Sequence, residues 1–297
     1  MAHMNVPNRD EKTQSMSLAN SVLVGLIGEG IGPSRSPFMH ETEAAALGIK
    51  LIYRLIDLPV LGLDVSSLEV LLHAAELMGF SGVNVTHPCK QAVIPLLDGL
   101  SDEARALGAV NTVLFREGKR MGHNTDWFGF AEAFRLRMPG ASLERVVQLG
   151  AGGAGAAVAY AILKMGAKHI VIVDVDPQRA DDVVQKFSAL FGADRISGAA
   201  SAAEALIGAT GLINATPIGM AAHPGLPLDS ALLRPDLWVA EVVYFPLETA
   251  LLKAAREIGC RTVDGGGMAV FQAAEAFRLF TGIVPDAARM LANFAAE

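Results

Sequence analysis

The stretch Val146-Val147-Gln148-Leu149 followed by Gly150-Ala151-Gly152-Gly153-Ala154-Gly155 constrains this chain more than any other. An apolar, β-branched run enters a Gly-x-Gly-x-x-Gly turn, and a small-residue stretch of helical period leaves it, ending near Met165. In that setting each glycine has a task. Gly150 allows the tight turn, Gly152 leaves bare backbone where a pyrophosphate approaches, and Gly155 lets helix and strand pack closely. The helix start offers N–H groups and the positive end of its dipole to the phosphates. The segment therefore predicts a dinucleotide-binding fold, with residues Gly150 to Gly155 as its phosphate loop.

The next apolar run, Ile170-Val171-Ile172-Val173, ends on Asp174, where a carboxylate can accept hydrogen bonds from the adenosine ribose. Asp176 adds a second negative charge against a 2′-phosphate, and the nearest cation, Arg179, comes only later. The pattern favours NAD, with NADP as the second choice. The plainer alternative is a βα corner with Asp174 capping the turn before Pro177.

The rest of the 297 residues alternates short β-branched runs with longer Ala- and Leu-rich stretches, the pattern of a parallel α/β protein, and is long enough for two domains. Strands are expected at Val22–Ile27, Leu51–Ile56, Gly82–Val85, Val146–Leu149, Ile170–Val173, Gly211–Asn214 and Trp238–Val243. Helices are expected from about Pro37 to Leu47 and from Leu68 to Met78, and Phe271–Phe280 could pack on either half. The opening Met1-Ala2-His3-Met4 reads as a cloning remnant, and the polar residues to about Asn20 read as poorly ordered.

Several classes are excluded. No apolar run approaches the roughly 20 residues of a membrane span, and no signal peptide is evident, so a cytoplasmic protein is expected. Two cysteines far apart, Cys89 and Cys260, make no disulfide framework, and seven scattered histidines show no metal-binding spacing, so no metal is expected. A net charge of −7 without a basic stripe argues against nucleic acid. The polar residues of the first half fall where open α/β sheets hold ligands, at strand ends. Their hydroxyls, amides, one ammonium and one carboxylate suit a small polyol.

Those loops carry a series of motifs: Ser34-x-Ser36-Pro37, Asn84-Val85-Thr86-x-Pro88-x-Lys90, Ala109-Val110-Asn111-Thr112 and Asn124-Thr125-Asp126. Further on come Asn214-Ala215-Thr216-Pro217-Ile218-Gly219-Met220, Val243-Tyr244-Phe245-Pro246, and Asp264-Gly265 with Met268 and Gln272. In this order, from about Gly25 to Gly282, the series resembles the shikimate dehydrogenase family. The resemblance implies reversible NAD(P)-dependent oxidation of shikimate to 3-dehydroshikimate, or of quinate to 3-dehydroquinate. It implies a two-domain α/β fold, with residues 20–125 and 265–297 forming an N-terminal substrate and catalytic domain and 126–264 a Rossmann-type dinucleotide domain.

By motif position, the resemblance makes Lys90 and Asp126 the catalytic pair. Ser34, Ser36, Asn84, Thr86, Asn111 and Gln272 would hold the substrate carboxylate and hydroxyls, with Tyr244 lining the cleft. Asn214, Thr216, Met220, Val243, Gly265 and Met268 join the phosphate loop, Asp174, Asp176 and Arg179 at the cofactor. Chemistry supports the pair independently, because hydride removal from a carbinol carbon requires a base for the hydroxyl proton, and an amine beside a carboxylate can relay it. Outside such a series, a lysine after a strand is usually a surface residue and an aspartate before a helix a cap.

The chain departs from the family at Gly28-Glu29-Gly30-Ile31-Gly32-Pro33, where Gly-x-Pro-Ile-x-His is usual, and at Glu41, where asparagine is common after the histidine. Together with Asp174 and Asp176, the His123-to-Trp127 context looks more like the NAD-dependent quinate/shikimate dehydrogenases. Quinate, shikimate and an aminated analogue all remain as substrates, as does a sensor that binds such a ligand without turning it over. Monomer and homodimer are both compatible with the sequence.

Overall fold

The computed structural model describes residues 21–296. The readings of the opening tetrapeptide and of the polar residues before Ser21 lie outside the described residues.

The first half comprises β1 (Ser21–Gly28), α1 (Ser36–Ala46), β2 (Lys50–Asp57), α2 (Leu68–Leu77), β3 (Gly82–Val85), α3 (Cys89–Ala92), β4 (Gly99–Leu100), α4 (Asp102–Leu107), β5 (Thr112–Arg116) and β6 (Lys119–His123). The strands form one sheet in the order β2-β1-β3-β5-β6-β4. β1 runs parallel to β2 and β3, but β5 runs antiparallel to both β3 and β6. The parallel reading therefore fails for this half. Glu117 and Gly118 both take positive φ, 53° and 69°, the geometry of a two-residue hairpin turn. That turn folds β6 back on β5, pairing Arg116 with Lys119.

The second half comprises α5 (Asp126–Arg137), β7 (Arg145–Leu149), α6 (Gly153–Lys164), β8 (His169–Val173), α7 (Pro177–Phe191), β9 (Ile196–Gly198), α8 (Ala202–Ala205), β10 (Gly211–Asn214), β11 (Trp238–Glu241), α9 (Ala250–Glu257) and β12 (Arg261–Val263). Its sheet, β12-β11-β10-β7-β8-β9, is parallel throughout. Helices cover both faces, so Val146, Val147, Ile170, Ile172, Leu212, Ile213 and Val239 are all buried. Each such side chain stabilises the fold by roughly 1.5–3 kcal/mol. Strand order reverses at β7, which places the crevice of a doubly wound sheet at the Gly150 turn.

β11 stops at Glu241, two residues earlier than its apolar run suggests. The buried Glu241 carboxylate takes the Val243 N–H at 3.0 Å and shares the Val242 N–H, at 2.9 Å, with the Asn214 carbonyl of β10, so the ladder ends there.

From β12 the chain returns to the first sheet through α10 (Gly266–Thr281) and α11 (Ala287–Ala296). Ala276, Phe277 and Phe280 share a core with Val24, Leu26, Tyr53 and Leu114, while the start of α10 packs on α5. α11 is fastened to α1 by Arg289, whose guanidinium grips the buried Glu43 carboxylate at 2.6 and 2.8 Å. Arg35, between the two motif serines, donates to the Phe294 carbonyl at 2.8 Å and lies 3.9 Å from the ring centroid.

Candidate active site

Lys90 sits in the short α3 that follows β3, and Asp126 opens α5. Lys90 Nζ donates to Asp126 Oδ2 at 2.6 Å, with the lysine side chain 25% and the aspartate 12% exposed. Asn111 Nδ2 donates to the other oxygen, Asp126 Oδ1, at 2.9 Å, and the backbone N–H of Asp126 is capped by Asn124 Oδ1 at 3.0 Å. The carboxylate is thus held on both oxygens, and the amine, the more exposed partner, can reach a ligand.

The other polar residues of the first half form a buried lattice behind the pair. Asn111 also donates to Thr125 Oγ1, and its Oδ1 accepts from the Thr125 N–H at 2.8 Å and from Thr112 Oγ1 at 3.0 Å. Asn84 Nδ2 donates to Thr112 Oγ1 and to the Asn111 carbonyl, at 2.9 and 3.1 Å, and Asn84 Oδ1 accepts from the Tyr53 hydroxyl at 2.8 Å. Burial drives the Tyr53 phenol far above its ordinary range, so it stays a neutral donor. Ser34 and Ser36 lie in a loop held at two points: Ser36 N–H donates to Ser34 Oγ at 3.3 Å, and the Asp57 carboxylate at the end of β2 accepts from Gly30 and Ile31 N–H at 3.2 and 2.9 Å. Thr86 is half-buried at the end of β3.

Gln272 reaches this neighbourhood because α10 crosses α5 at Gly129. A Cβ on Gly129 would lie 2.5 Å from the Met268 carbonyl oxygen and 2.8 Å from the Gln272 nitrogen. Tyr244 is exposed, beyond the end of β11.

The Gly-rich turn fits a dinucleotide pyrophosphate. Gly150 has φ +95°, and Gly155 packs so tightly that a Cβ there would meet Gly150 O at 2.3 Å. At Gly152 and Gly153 nothing lies within 4 Å of a built Cβ, and the N-terminus of α6 has no side-chain cap. Bare N–H groups thus face open space at the positive end of a 12-residue helix. Ala151 is buried and Ala154 half-buried behind them. Gln148 Nε2 ties the turn down from below, donating to Gly150 O and Gly155 O at 2.8 Å each.

Asp174 is closer to the turn than its sequence position suggests. Its Oδ2 accepts from the Ala151 N–H at 2.7 Å and its Oδ1 from Asp176 N–H at 2.9 Å, leaving one lone pair on each oxygen toward solvent. Asp176 caps α7 through Gln178 N–H, and its carboxylate pairs with Arg179 at 3.3 Å.

Asn214 and Thr216 face inward. Asn214 Nδ2 donates to Glu241 Oε1 and to the Ile218 carbonyl, both at 2.9 Å, and its Oδ1 accepts from Thr216 Oγ1 at 2.7 Å. They shape the loop that leaves Met220 exposed. Burial pushes the Glu241 carboxyl up, while Asn214, Val243, Thr249 and Val242 all donate to it and pull the other way. Val243 and Gly265 meet directly, with a Cβ on Gly265 falling 2.4 Å from Val243 O, and Met268 is buried one turn into α10.

Sequence reasoning missed Tyr53, Thr112, Gly129 and Glu241. Thr112 and Tyr53 had signals: one closes the Ala-Val-Asn-Thr motif, and the other places a hydroxyl between Leu51 and Leu55 on the inward phase of β2. Among the described residues, no three His, Cys, Asp or Glu side chains are grouped to hold a metal ion, and no helix is long and apolar enough to cross a membrane.

A largely buried lysine–aspartate pair where the two halves of the chain meet, and a glycine-rich turn of the dinucleotide-binding type in the second half, define a two-domain α/β chain of the dinucleotide-dependent redox class. Residues 26–113 match the shikimate dehydrogenase substrate binding domain, and residues 265–292 the shikimate 5′-dehydrogenase C-terminal domain. Shikimate dehydrogenase (NADP(+)) of Streptomyces avermitilis is 57% identical, over 93% of this chain and 96% of its own. Quinate/shikimate dehydrogenase (NAD(+)) of Corynebacterium efficiens is 49% identical, over 93% and 98%. Quinate dehydrogenase from Corynebacterium glutamicum, solved in complex with NAD, superposes with a TM-score of 0.89 at 47% identity, covering 93% of this chain and 99% of that one. The chain belongs to the shikimate dehydrogenase family, as its motif series implied.

Proposed function

We propose that this protein reversibly oxidises the C3 hydroxyl of shikimate, quinate or both, with NAD(P) as hydride acceptor. The observation that carries the reading is the 2.6 Å contact between Lys90 and Asp126, in a family whose relatives act on these two acids. The nicotinamide supplies the hydride acceptor, and this chain supplies the rest. Lys90 Nζ takes the C3 hydroxyl proton as the C–H bond gives up its hydride. In the reverse direction the ammonium returns that proton to the carbonyl oxygen. Asp126 fixes the amine and accepts a hydrogen bond from the neighbouring ring hydroxyl.

Ser34 and Ser36 donate to the substrate carboxylate, and Thr86, Gln272 and Tyr244 contact the ring. Both amide hydrogens of Asn84 and of Asn111 are engaged inside the lattice, so toward a substrate hydroxyl Asn84 acts as an acceptor and Asn111 acts through Asp126. The phosphate loop Gly150–Gly155 takes the pyrophosphate, and Asp174 takes the ribose hydroxyls, which favours NAD. Asp176 reinforces that choice, and its pairing with Arg179 draws the cation away from a 2′-phosphate. Asn214, Thr216, Met220, Val243, Gly265 and Met268 line the nicotinamide end. The return of α10 and α11 to the first sheet supports dividing the chain into residues 20–125 with 265–297 and residues 126–264. A cytoplasmic location fits the composition.

Steady-state rates on shikimate and quinate with each dinucleotide test the reading. Turnover of either acid, with higher kcat/KM for NAD, is expected. Binding without hydride transfer would establish a sensor instead.

A further inference from the structure

The side chains between Tyr53 on β2 and the catalytic pair form one continuous hydrogen-bonded file, and the chemistry of its members sets the direction of every proton in it. Asn84 Nδ2 faces the Asn111 carbonyl, which can only accept, so that end of the amide is the nitrogen and Oδ1 faces Tyr53. The Tyr53 hydroxyl must then donate to it. Asn111 is fixed in the same way, since its Oδ1 receives the Thr125 N–H, which can only donate. Thr112 Oγ1 accepts from Asn84, so its single proton points at Asn111 Oδ1. Asn111 Nδ2 then donates to Asp126 Oδ1. From Tyr53 through Asn84, Thr112 and Asn111, every donor points toward Asp126.

Thr112 is fully buried and Tyr53 nearly so. A buried hydroxyl with a forced direction orients its neighbours more strongly than one that water can replace, and donors aligned in one sense polarise one another. We propose that Tyr53 and Thr112 are positioning residues for hydride transfer: they complete the hydrogen bonding that holds the Asn84 and Asn111 amides in place, and so steady the Asp126 carboxylate against Lys90. This inference rests on the reaction proposed above.

Thr112→Val keeps the shape of the side chain and removes the relay. Asn84 Nδ2 then loses one acceptor, and Asn111 Oδ1 loses one of its two donors and is held by the Thr125 N–H alone. With the better substrate and saturating dinucleotide, kcat is expected to fall about tenfold or more, the cost of a misdirected buried hydrogen bond. KM should change less than about threefold, since Ser34, Ser36 and Thr86 are untouched. Thr112→Ser, which keeps the hydroxyl, should recover most of kcat, and Tyr53→Phe should show a smaller fall of the same kind. A Thr112→Val enzyme with kcat within about twofold of the parent, or a loss that Thr112→Ser does not relieve, overturns the proposal. A parent inactive on both acids defeats the reaction proposed above. The crystal structure of Thr112→Val then decides this inference alone: Asp126 turned from Lys90 supports it, and an unchanged pair overturns it.

Discussion

Lys90 Nζ lies 2.6 Å from Asp126 Oδ2 although the two residues are carried by separate helices, one after β3 and one after β6. What brings them together is the pairing of β3 and β6 with the intervening β5, which lines up the strand ends from which both helices start. The amine is the more exposed member, as a group that exchanges a proton with a ligand must be.

Replacing Lys90 with alanine should therefore lower kcat by roughly 10²–10⁴-fold while changing KM far less, because the lost group acts on the transferring proton. Steady-state kinetics at saturating dinucleotide measure both. A near-normal kcat would remove Lys90 from the chemistry.

Asp174→Ala should shift cofactor choice. Losing a carboxylate that accepts ribose hydroxyls costs about 1.5–3 kcal/mol in NAD recognition, or roughly 10- to 100-fold in kcat/KM, and relieves repulsion of a 2′-phosphate. The ratio of kcat/KM for NAD to that for NADP should fall. A ratio unchanged within error would show that Asp174 serves only to hold the Ala151 N–H.

Gly129→Ala tests the crossing of α5 and α10. Alanine would normally favour the helix by about 1 kcal/mol, but the added carbon meets the Met268 carbonyl at 2.5 Å, and backbone cannot swing aside. Overpacking of about 1–3 kcal/mol should dominate, and the displaced Gln272 should raise KM for the acid substrate. Thermal unfolding and KM together check this, and a stabilised variant with unchanged KM would contradict it.

His40 makes stability depend on pH. It is buried against Tyr53, ring centroids 4.8 Å apart, and burial lowers its pKa from 6.5 to about 3. The unfolded chain therefore binds a proton that the folded chain refuses. This contribution is whole above pH 6.5 and is lost as pH falls from 6.5 toward 3, by up to about 1.4 kcal/mol per unit. Tm measured from pH 7 to 4.5 should drop, and His40→Phe should flatten that slope. An equal slope in the variant would assign the acid sensitivity elsewhere.

Where one period governs both faces of an element, the sequence was legible. β3 and β10 fall on the expected residues, and the Gly150 turn stands between the expected strand and helix. The β5–β6 hairpin was not, because Thr112–Arg116 and Lys119–His123 are short, partly polar strands whose direction is set by the backbone of Glu117 and Gly118. At the site, residue types announced Lys90, Asp126 and the two serines, since their motifs stand where a strand gives way to a helix. Thr112 and Tyr53 were hidden because a polar atom on a strand shows its partner only when the neighbouring strands are in place.

The chain crosses between its two sheets twice, outward at Asp126 into α5 and back at Gly265 into α10, and these two helices lie against each other at Gly129 and Gly267. The two passages therefore meet in one seam. Asp126 starts one of its helices and Gly265 caps the other, so whatever spreads the helices at Gly129 and Gly267 also spreads the aspartate from the glycine proposed for the nicotinamide end.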